Sequence, residues 1–139
     1  MVEQHDIYIT EFDLKRLSEL LQASIGSQGK NGESLRTLED ELDRAHVVER
    51  TAIPQDTVTM NSRVRLTDVE TGDERVCTLV FPSEANIDEN KISVLAPIGT
   101  AFLGYRAGDR ITWRVPAGMR TVRIEEVLYQ PEAAGNDHL

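Results

Sequence analysis

The run Ile92-Ser-Val-Leu-Ala-Pro-Ile-Gly-Thr-Ala-Phe-Leu-Gly-Tyr-Arg-Ala-Gly-Asp109 does most to limit what this chain can become. Ile92 and Val94 share one face of an extended segment. Pro97 suits the first position of a helix, because its φ is preset and the N–H it lacks would be unpaired there anyway. Ile98, Ala101 and Phe102 follow at i, i+3 and i+4 and form one apolar stripe. Gly104 is placed as a left-handed stop, and Gly108-Asp109 as a turn. A helix this short is not stable alone in water. It needs a sheet to lie on, and the flanking residues must supply the strands.

They carry the right pattern. From Val58 the apolar period is two: Val58, Met60, Val64 and Leu66 alternate with Thr59, Asn61, Arg63 and Arg65, which buries one face and solvates the other. Glu70-Thr-Gly-Asp73 reads as a hairpin turn. Residues 74–81 form the return strand. Val76, Cys77, Leu79, Val80 and Phe81 make it apolar on both faces, so it belongs in the middle of a sheet or under a helix. Residues 83–90 are acidic and loop-like, with room for one helical turn at 84–87. Ile111, Trp113 and Val115 alternate in a further strand, and Pro116-Ala-Gly118 turns it. Val122 and Ile124 share a phase that Val127 and Tyr129 do not, which a bulge near Glu125-Glu126 reconciles. The tail from Pro131 is small and polar and is expected to end the ordered part.

The first third of the chain has a helical period instead. Ile7, Tyr8 and Ile9 form a short apolar patch. Thr10 is the N-cap of a helix over 10–22, with Asp13 as its capping-box partner. Leu14, Leu17 and Leu21 line one face, while Asp13, Lys15, Arg16 and Glu19 face elsewhere. Residues 23–33 are rich in glycine and small polar residues and break the helix. Ser34 or Asn31 caps the next one, over 34–48, where Leu35, Leu38, Leu42 and Ala45 repeat at +3, +4, +3. Two matched leucine stripes across a glycine-rich bend pair antiparallel.

The fold class is therefore α+β. A short N-terminal antiparallel coiled-coil hairpin fills residues 1–50 and is expected to stand off the sheet rather than lie flat on it. An antiparallel sheet of about five strands with one short helix across a face fills residues 55–131, and residues 132–139 are a tail.

Charge and composition narrow the function. There are 24 acidic and 15 basic residues among 139, a formal net charge of −9. Such a chain gains little from counterion release on a nucleic acid, so direct nucleic-acid binding is not expected. It is suited to a basic protein surface or to remaining soluble. No apolar run reaches the ~18 residues of a membrane span. The opening Met1-Val-Glu-Gln-His-Asp6 carries acid where a signal peptide carries base, so a cytoplasmic location is expected. Cys77 is the only cysteine, which fits a reducing compartment and reads as a small strand residue. His5, His46 and His138 have no ligand spacing with one another or with an acidic cluster, so no metal site is expected. His46 reads as a solvated residue near the end of the second helix. The glycines of 26–32 lack the Lys-Ser/Thr ending and preceding strand of a phosphate loop. No cofactor and no catalytic residues are indicated.

The pattern of a strand followed by Ala96-Pro97-Ile98, Ala101, Leu103-Gly104 and Gly108-Asp109 resembles the C-terminal domain of the GreA/GreB transcript-cleavage factors. Val58-Thr-Met-Asn-Ser-Arg-Val64 and Tyr129-Gln-Pro-Glu-Ala-Ala-Gly135 resemble the Rnk regulators of nucleoside diphosphate kinase, shorter relatives of the Gre factors. The resemblance covers most of residues 35–135 and implies an FKBP-like sheet domain.

It also implies a partner. Gre factors insert a long coiled coil into the secondary channel of RNA polymerase, where carboxylates at its tip help hold a catalytic metal. Here residues Gln22 to Gly32 contain no Asp or Glu, and helices of about 13 residues reach only ~20 Å. Transcript-cleavage stimulation is not expected. A Ser-Pro in the Gre factors helps dock the C-terminal domain on the channel rim. The matching residues here are Ala96-Pro97, so the proline carries over and the serine hydroxyl does not. The resemblance thus implies a non-enzymatic, polymerase-binding regulator. It would use Val94, Ala96, Pro97 and Ile98, with secondary contact through Glu39, Asp40 and Asp43 on the acidic second helix, and would compete with cleavage factors at the channel rim. Two alternatives stand beside it. One is a regulator of nucleoside diphosphate kinase, acting directly or indirectly. The other is an FKBP-like prolyl isomerase, which would need an aromatic-lined pocket from only one Trp, three Tyr and three Phe.

Overall fold

The computed structural model describes residues 7–24, 32–115 and 118–135. Its elements run β1 (Tyr8–Thr10), α1 (Glu11–Ser24), α2 (Gly32–Arg44), β2 (His46–Val48), β3 (Arg63–Asp68), β4 (Glu74–Val80), β5 (Lys91–Ser93), α3 (Pro97–Phe102), β6 (Arg110–Val115), β7 (Gly118–Tyr129) and α4 (Pro131–Ala134). The architecture is mixed helix and sheet, as the change of period indicates.

Five strands pair in the order β5-β4-β3-β7-β6. The β3–β4, β3–β7 and β6–β7 pairs are antiparallel. The edge strand β5 departs from the all-antiparallel expectation: it runs parallel to β4, with Leu79 opposite Ile92. Residues 81–90 between them hold two 3-10 turns, Pro82–Glu84 and Ile87–Glu89. They bring the chain back alongside Thr78, so that Lys91–Ser93 runs beside the last three residues of β4 in the same direction, where a tight hairpin would have reversed it. The expected bulge in β7 is present and doubled. Pairing with β3 slips between Arg65 and Leu66 and again between Arg63 and Val64, which restores Val127 to the same side as Ile124.

Val64, Leu66, Cys77, Leu79, Val122 and Ile124 turn inward and are buried. Across them lies α3, with Phe102 fully buried. Gly104 ends this segment at φ 83°. A Cβ there would lie 2.9 Å from the Ile7 side chain, because β1 crosses at that point and the Tyr8 N–H donates to the Gly104 carbonyl at 3.1 Å.

Several sequence expectations are corrected. The second helix stops at Arg44 rather than 48, and His46–Val48 pairs in parallel with Tyr8–Thr10. The apolar patch at residues 7–9 is thus largely a strand, and His46 is a strand residue stacked on Tyr8 at 5.1 Å. Residues 58–62 do not belong to β3. Val58, Thr59 and Met60 are all buried, and Asn61 is left-handed at φ 65°, so the alternation begins only at Arg63. The tail does not end at Pro131: α4 packs down, with Pro131 buried.

The helical pair is rooted in the core of the sheet. Leu17, Leu38 and Leu42 belong to the same buried cluster as Val64, Leu79 and Phe102. The Thr10 hydroxyl accepts the Asp13 N–H at 3.0 Å and caps α1 as expected. The glycine-rich bend between the helices lies outside the described residues.

Candidate functional site

The corner where β5 passes into α3 is built by short-range bonds. The Ser93 hydroxyl accepts the Leu95 N–H at 3.0 Å, and the Ser93 carbonyl accepts the Ala96 N–H at 3.0 Å. Ala96 is the N-cap, extended at φ −67° and ψ 148°, with no side-chain cap bond, and Pro97 is the first helical residue. Without a capping oxygen at Ala96, the proline's preset φ and the serine three residues earlier hold the turn. The buried Thr100 side chain donates to the Val94 carbonyl. Gly99 lets the helix approach this close: a Cβ would sit 2.1 Å from the Ser93 carbonyl oxygen.

Of the four residues anticipated at this corner, Val94 is fully buried and supports the surface from beneath. Ala96 and Ile98 are partly exposed. Beside Ile98 opens a groove of about 440 Å³ with Leu66 and Val122 in its floor. Asp68, Asp73, Glu74, Arg75 and Arg120 rim it. Asp68 is fixed there, accepting the Glu70 N–H at 2.9 Å and a guanidinium bond from Arg120. These contacts, led by the Glu70 N–H, hold its carboxyl below the usual range. Local sequence could mark the corner, but the groove is assembled from three distant strands and a helix.

The acidic second helix divides in two. Glu39, Asp40 and Asp43 are exposed. Glu41 is half-buried and bonds Arg44 at 2.7 Å, and Arg44 bonds the Tyr105 hydroxyl at 3.0 Å. Burial, outweighing Arg44, raises the Glu41 carboxyl above its usual range.

The residue that sequence reasoning placed wrongly is Asp13, which is fully buried. Its carboxylate accepts the Met60 N–H at 3.0 Å and a guanidinium bond from Arg16. Burial pushes its pKa up to about 6, against the lowering by Arg16 and the Met60 N–H. The Arg16 guanidinium lies 4.0 Å from the centre of the Phe12 ring and 4.9 Å from that of Phe81. The signal was present, since Asp13 stands four residues before the core residue Leu17. A second polar tie holds α4: the Thr59 hydroxyl donates to Glu132 at 2.8 Å, and Gln130 donates to the Pro54 and Thr57 carbonyls at 2.8 Å each.

Among the described residues no group of three His, Cys, Asp or Glu side chains could hold a metal ion, and no helix is long and apolar enough to cross a membrane. Cys77 is buried, and burial pushes its thiol up to about 11.

Comparison with known proteins gives this geometry a family. Residues 53–129 match the model of the transcription elongation factor GreA/GreB C-terminal region, and residues 5–48 match that of the Rnk N-terminus. A regulator of nucleoside diphosphate kinase from Escherichia coli is 40% identical over 131 residues, 94% of each chain. A transcription elongation factor GreA from Thermodesulfovibrio yellowstonii is 35% identical over 96 residues, 69% of this chain and 61% of that one. The fold is shared with a solved prokaryotic transcription elongation factor GreA/GreB from Nitrosomonas europaea. That structure has TM-score 0.73 and 41% identity, covering 91% of this chain and all of the other. These relatives are named as regulators and transcription factors, not as enzymes. With an Rnk-type N-terminus joined to a Gre-type C-terminal region, this chain belongs to the GreA/GreB family, in its Rnk branch.

Proposed function

We propose that this chain is a non-catalytic regulator that docks on RNA polymerase at the secondary-channel rim and competes there with Gre cleavage factors. The docking surface is the β5–α3 corner: Ala96, Pro97 and Ile98, backed by Val94 and continued by the groove beside Ile98. The helical pair α1 and α2, rooted on the sheet, acts as a short prong and residues 55–131 as an FKBP-like docking domain. Glu39, Asp40 and Asp43 add a secondary acidic contact.

The observation that carries this reading is one chain that joins a Gre-type region to a prong without tip carboxylates. Residues Gln22 to Gly32 contain no Asp or Glu, and α1 has 14 residues, about 21 Å of helix. Divalent cations take oxygen ligands, and this tip offers no carboxylate. The protein can occupy the entrance by mass action while leaving cleavage unstimulated. The test is a binding assay with purified core polymerase and a labelled Gre factor. Displacement of the label with no stimulated cleavage in arrested complexes is expected. Failure to associate with the polymerase, or stimulated cleavage, overturns the reading.

A second reading rests on the name of the E. coli relative, a regulator of nucleoside diphosphate kinase. It requires a stable complex with that kinase and altered turnover in a purified assay. Unchanged turnover at saturating protein rejects direct action.

A further inference from the structure

We propose that α4 is a proton-operated strap: it lies closed on the turn at residues 57–62 while the Asp13 carboxyl is protonated, and lifts when Asp13 ionises. Two carboxyl groups reach this one turn from opposite ends of the chain. The Met60 N–H donates to Asp13 at 3.0 Å, and the hydroxyl of its neighbour Thr59 donates to Glu132 at 2.8 Å. Thr59, Met60 and Asp13 are all buried. The second carboxylate oxygen of Glu132 is buried too and accepts no hydrogen bond from the described residues. Two negative charges set this close in a dry seam oppose each other.

The charged neighbours come from three elements. On α1, Arg16 donates to Asp13 and stacks on Phe12 and Phe81. From the 3-10 turn Arg50–Ala52, which packs against α4, the Arg50 guanidinium lies 4.9 Å from the centre of the Phe12 ring. From α4 comes Glu132. The turn itself supplies Thr57, Thr59, Asn61 and Ser62, none of which titrates. Burial and the Glu132 charge oppose ionisation of Asp13, while Arg16 and the Met60 N–H favour it. Burial outweighs the rest, so the carboxyl titrates at about 6.

Of the elements that meet here, α4 is the one free to move. It is a single turn, Pro131–Ala134, held by Glu132, by the Gln130 bonds to the Pro54 and Thr57 carbonyls, and by the Ala134 N–H donating to the Gln130 carbonyl at 3.0 Å. Helix α1 is instead anchored in the core by Leu17. A short segment near a chain end opens at far lower cost than a core helix. Lifting Glu132 removes the opposing charge and admits water to Asp13, so the ionised carboxyl favours the open form. The closed form holds the proton more tightly; it is favoured below about pH 6 and loses that advantage as pH rises through this value. The change is tenfold for each pKa unit that closure adds. The full rise from 3.8 to about 6 sets a ceiling of roughly a hundredfold. Opening uncovers Pro131 and Thr59, both buried in the closed form.

The test is hydrogen exchange of the full chain, read by mass spectrometry at about pH 5 and about pH 8 and corrected for the intrinsic change in exchange rate. Polymerase is absent, so the result is independent of the docking reading. Protection of residues 130–135 is expected to fall by about tenfold or more between the two, while residues 63–68 in β3 keep theirs. Asp13→Asn cannot ionise and should hold the ratio within about twofold. Glu132→Gln keeps an acceptor for Thr59 and removes the opposing charge, so its decline should shrink to about threefold or less. Glu41→Gln removes the other carboxyl that burial raises and should leave the decline as it is in the parent. No decline in the parent, or the parent's decline persisting in Asp13→Asn or in Glu132→Gln, overturns the proposal. So does an equal loss of protection in β3, since the whole chain would then open rather than the strap.

Discussion

The Asp13 carboxylate accepts the Met60 backbone N–H at 3.0 Å, so one buried acid ties the first helix to the segment that leads into β3. Burial raises its pKa from 3.8 to about 6. Between those values the folded state holds a proton that the unfolded chain has released. Stability from this group is therefore fully present below about pH 4 and is lost as pH rises through about 6. At 1.36 kcal/mol per pKa unit the loss by pH 7 is roughly 3 kcal/mol. Urea unfolding at several pH values should show this decline, and Asp13→Asn should flatten it between about pH 4 and 6. Asp13→Ala leaves the Met60 N–H unsatisfied and should cost about 1–3 kcal/mol at pH 4. An unchanged pH profile in Asp13→Asn would show that this carboxyl does not titrate with folding.

Gly99 gives a prediction that rests on space alone. Its Cβ would stand 2.1 Å from the Ser93 carbonyl oxygen, which is backbone and cannot swing aside. Gly99→Ala should lift α3 off the corner and cost about 3 kcal/mol, near the upper end of overpacking penalties. Denaturant unfolding measures it, and a loss below about 0.5 kcal/mol would mean that the helix re-seats freely.

Local rules carried much of this fold. Period two marked β3, β6 and β7, a run apolar on both faces marked β4, and Pro97 with Gly104 bracketed α3. What escaped depended on distant partners. His46-Val-Val48 can continue a helix as well as form a strand, and only β1, more than 30 residues earlier, decides between them. The parallel setting of β5 follows from how residues 81–90 return, which no local spacing states. Asp13 was assigned to solvent because it is charged, although its spacing from Leu17 put it on the core stripe. In α4 the signals were local and were passed over: Pro131 begins it, and Gly135 ends it at φ 77°. At the candidate site the corner was legible and the groove was not, since Leu66, Val122 and Ile98 meet only in three dimensions.

Ala96 invites a gain of stability. It is the N-cap of α3 in extended geometry, and no side chain caps the helix. A serine there can offer its oxygen to the free N–H groups of the first turn. Ala96→Ser should stabilise the protein by about 1 kcal/mol, read as a higher urea midpoint. Under the proposed function it also restores the hydroxyl that the family resemblance associates with docking, so polymerase affinity should rise. Higher stability with no change in affinity would confine the hydroxyl to capping.

Val94 and Ile98 separate support from contact. Val94 is fully buried, so Val94→Ala opens a small cavity and should cost about 1–2 kcal/mol of stability. Its effect on docking should be small under conditions where the variant remains folded. Ile98 is half-buried and lines the groove, so Ile98→Asp sets a charge where a partner's apolar group would sit. Burying that unpaired charge should weaken polymerase binding by at least about tenfold. Stability should fall less, since the carboxylate keeps access to water on its open side. Competition against a labelled Gre factor measures the first quantity and urea unfolding the second. If Ile98→Asp unfolds the chain to the same extent as it weakens binding, Ile98 belongs to the core rather than to the contact. If it changes neither, the partner does not reach this groove.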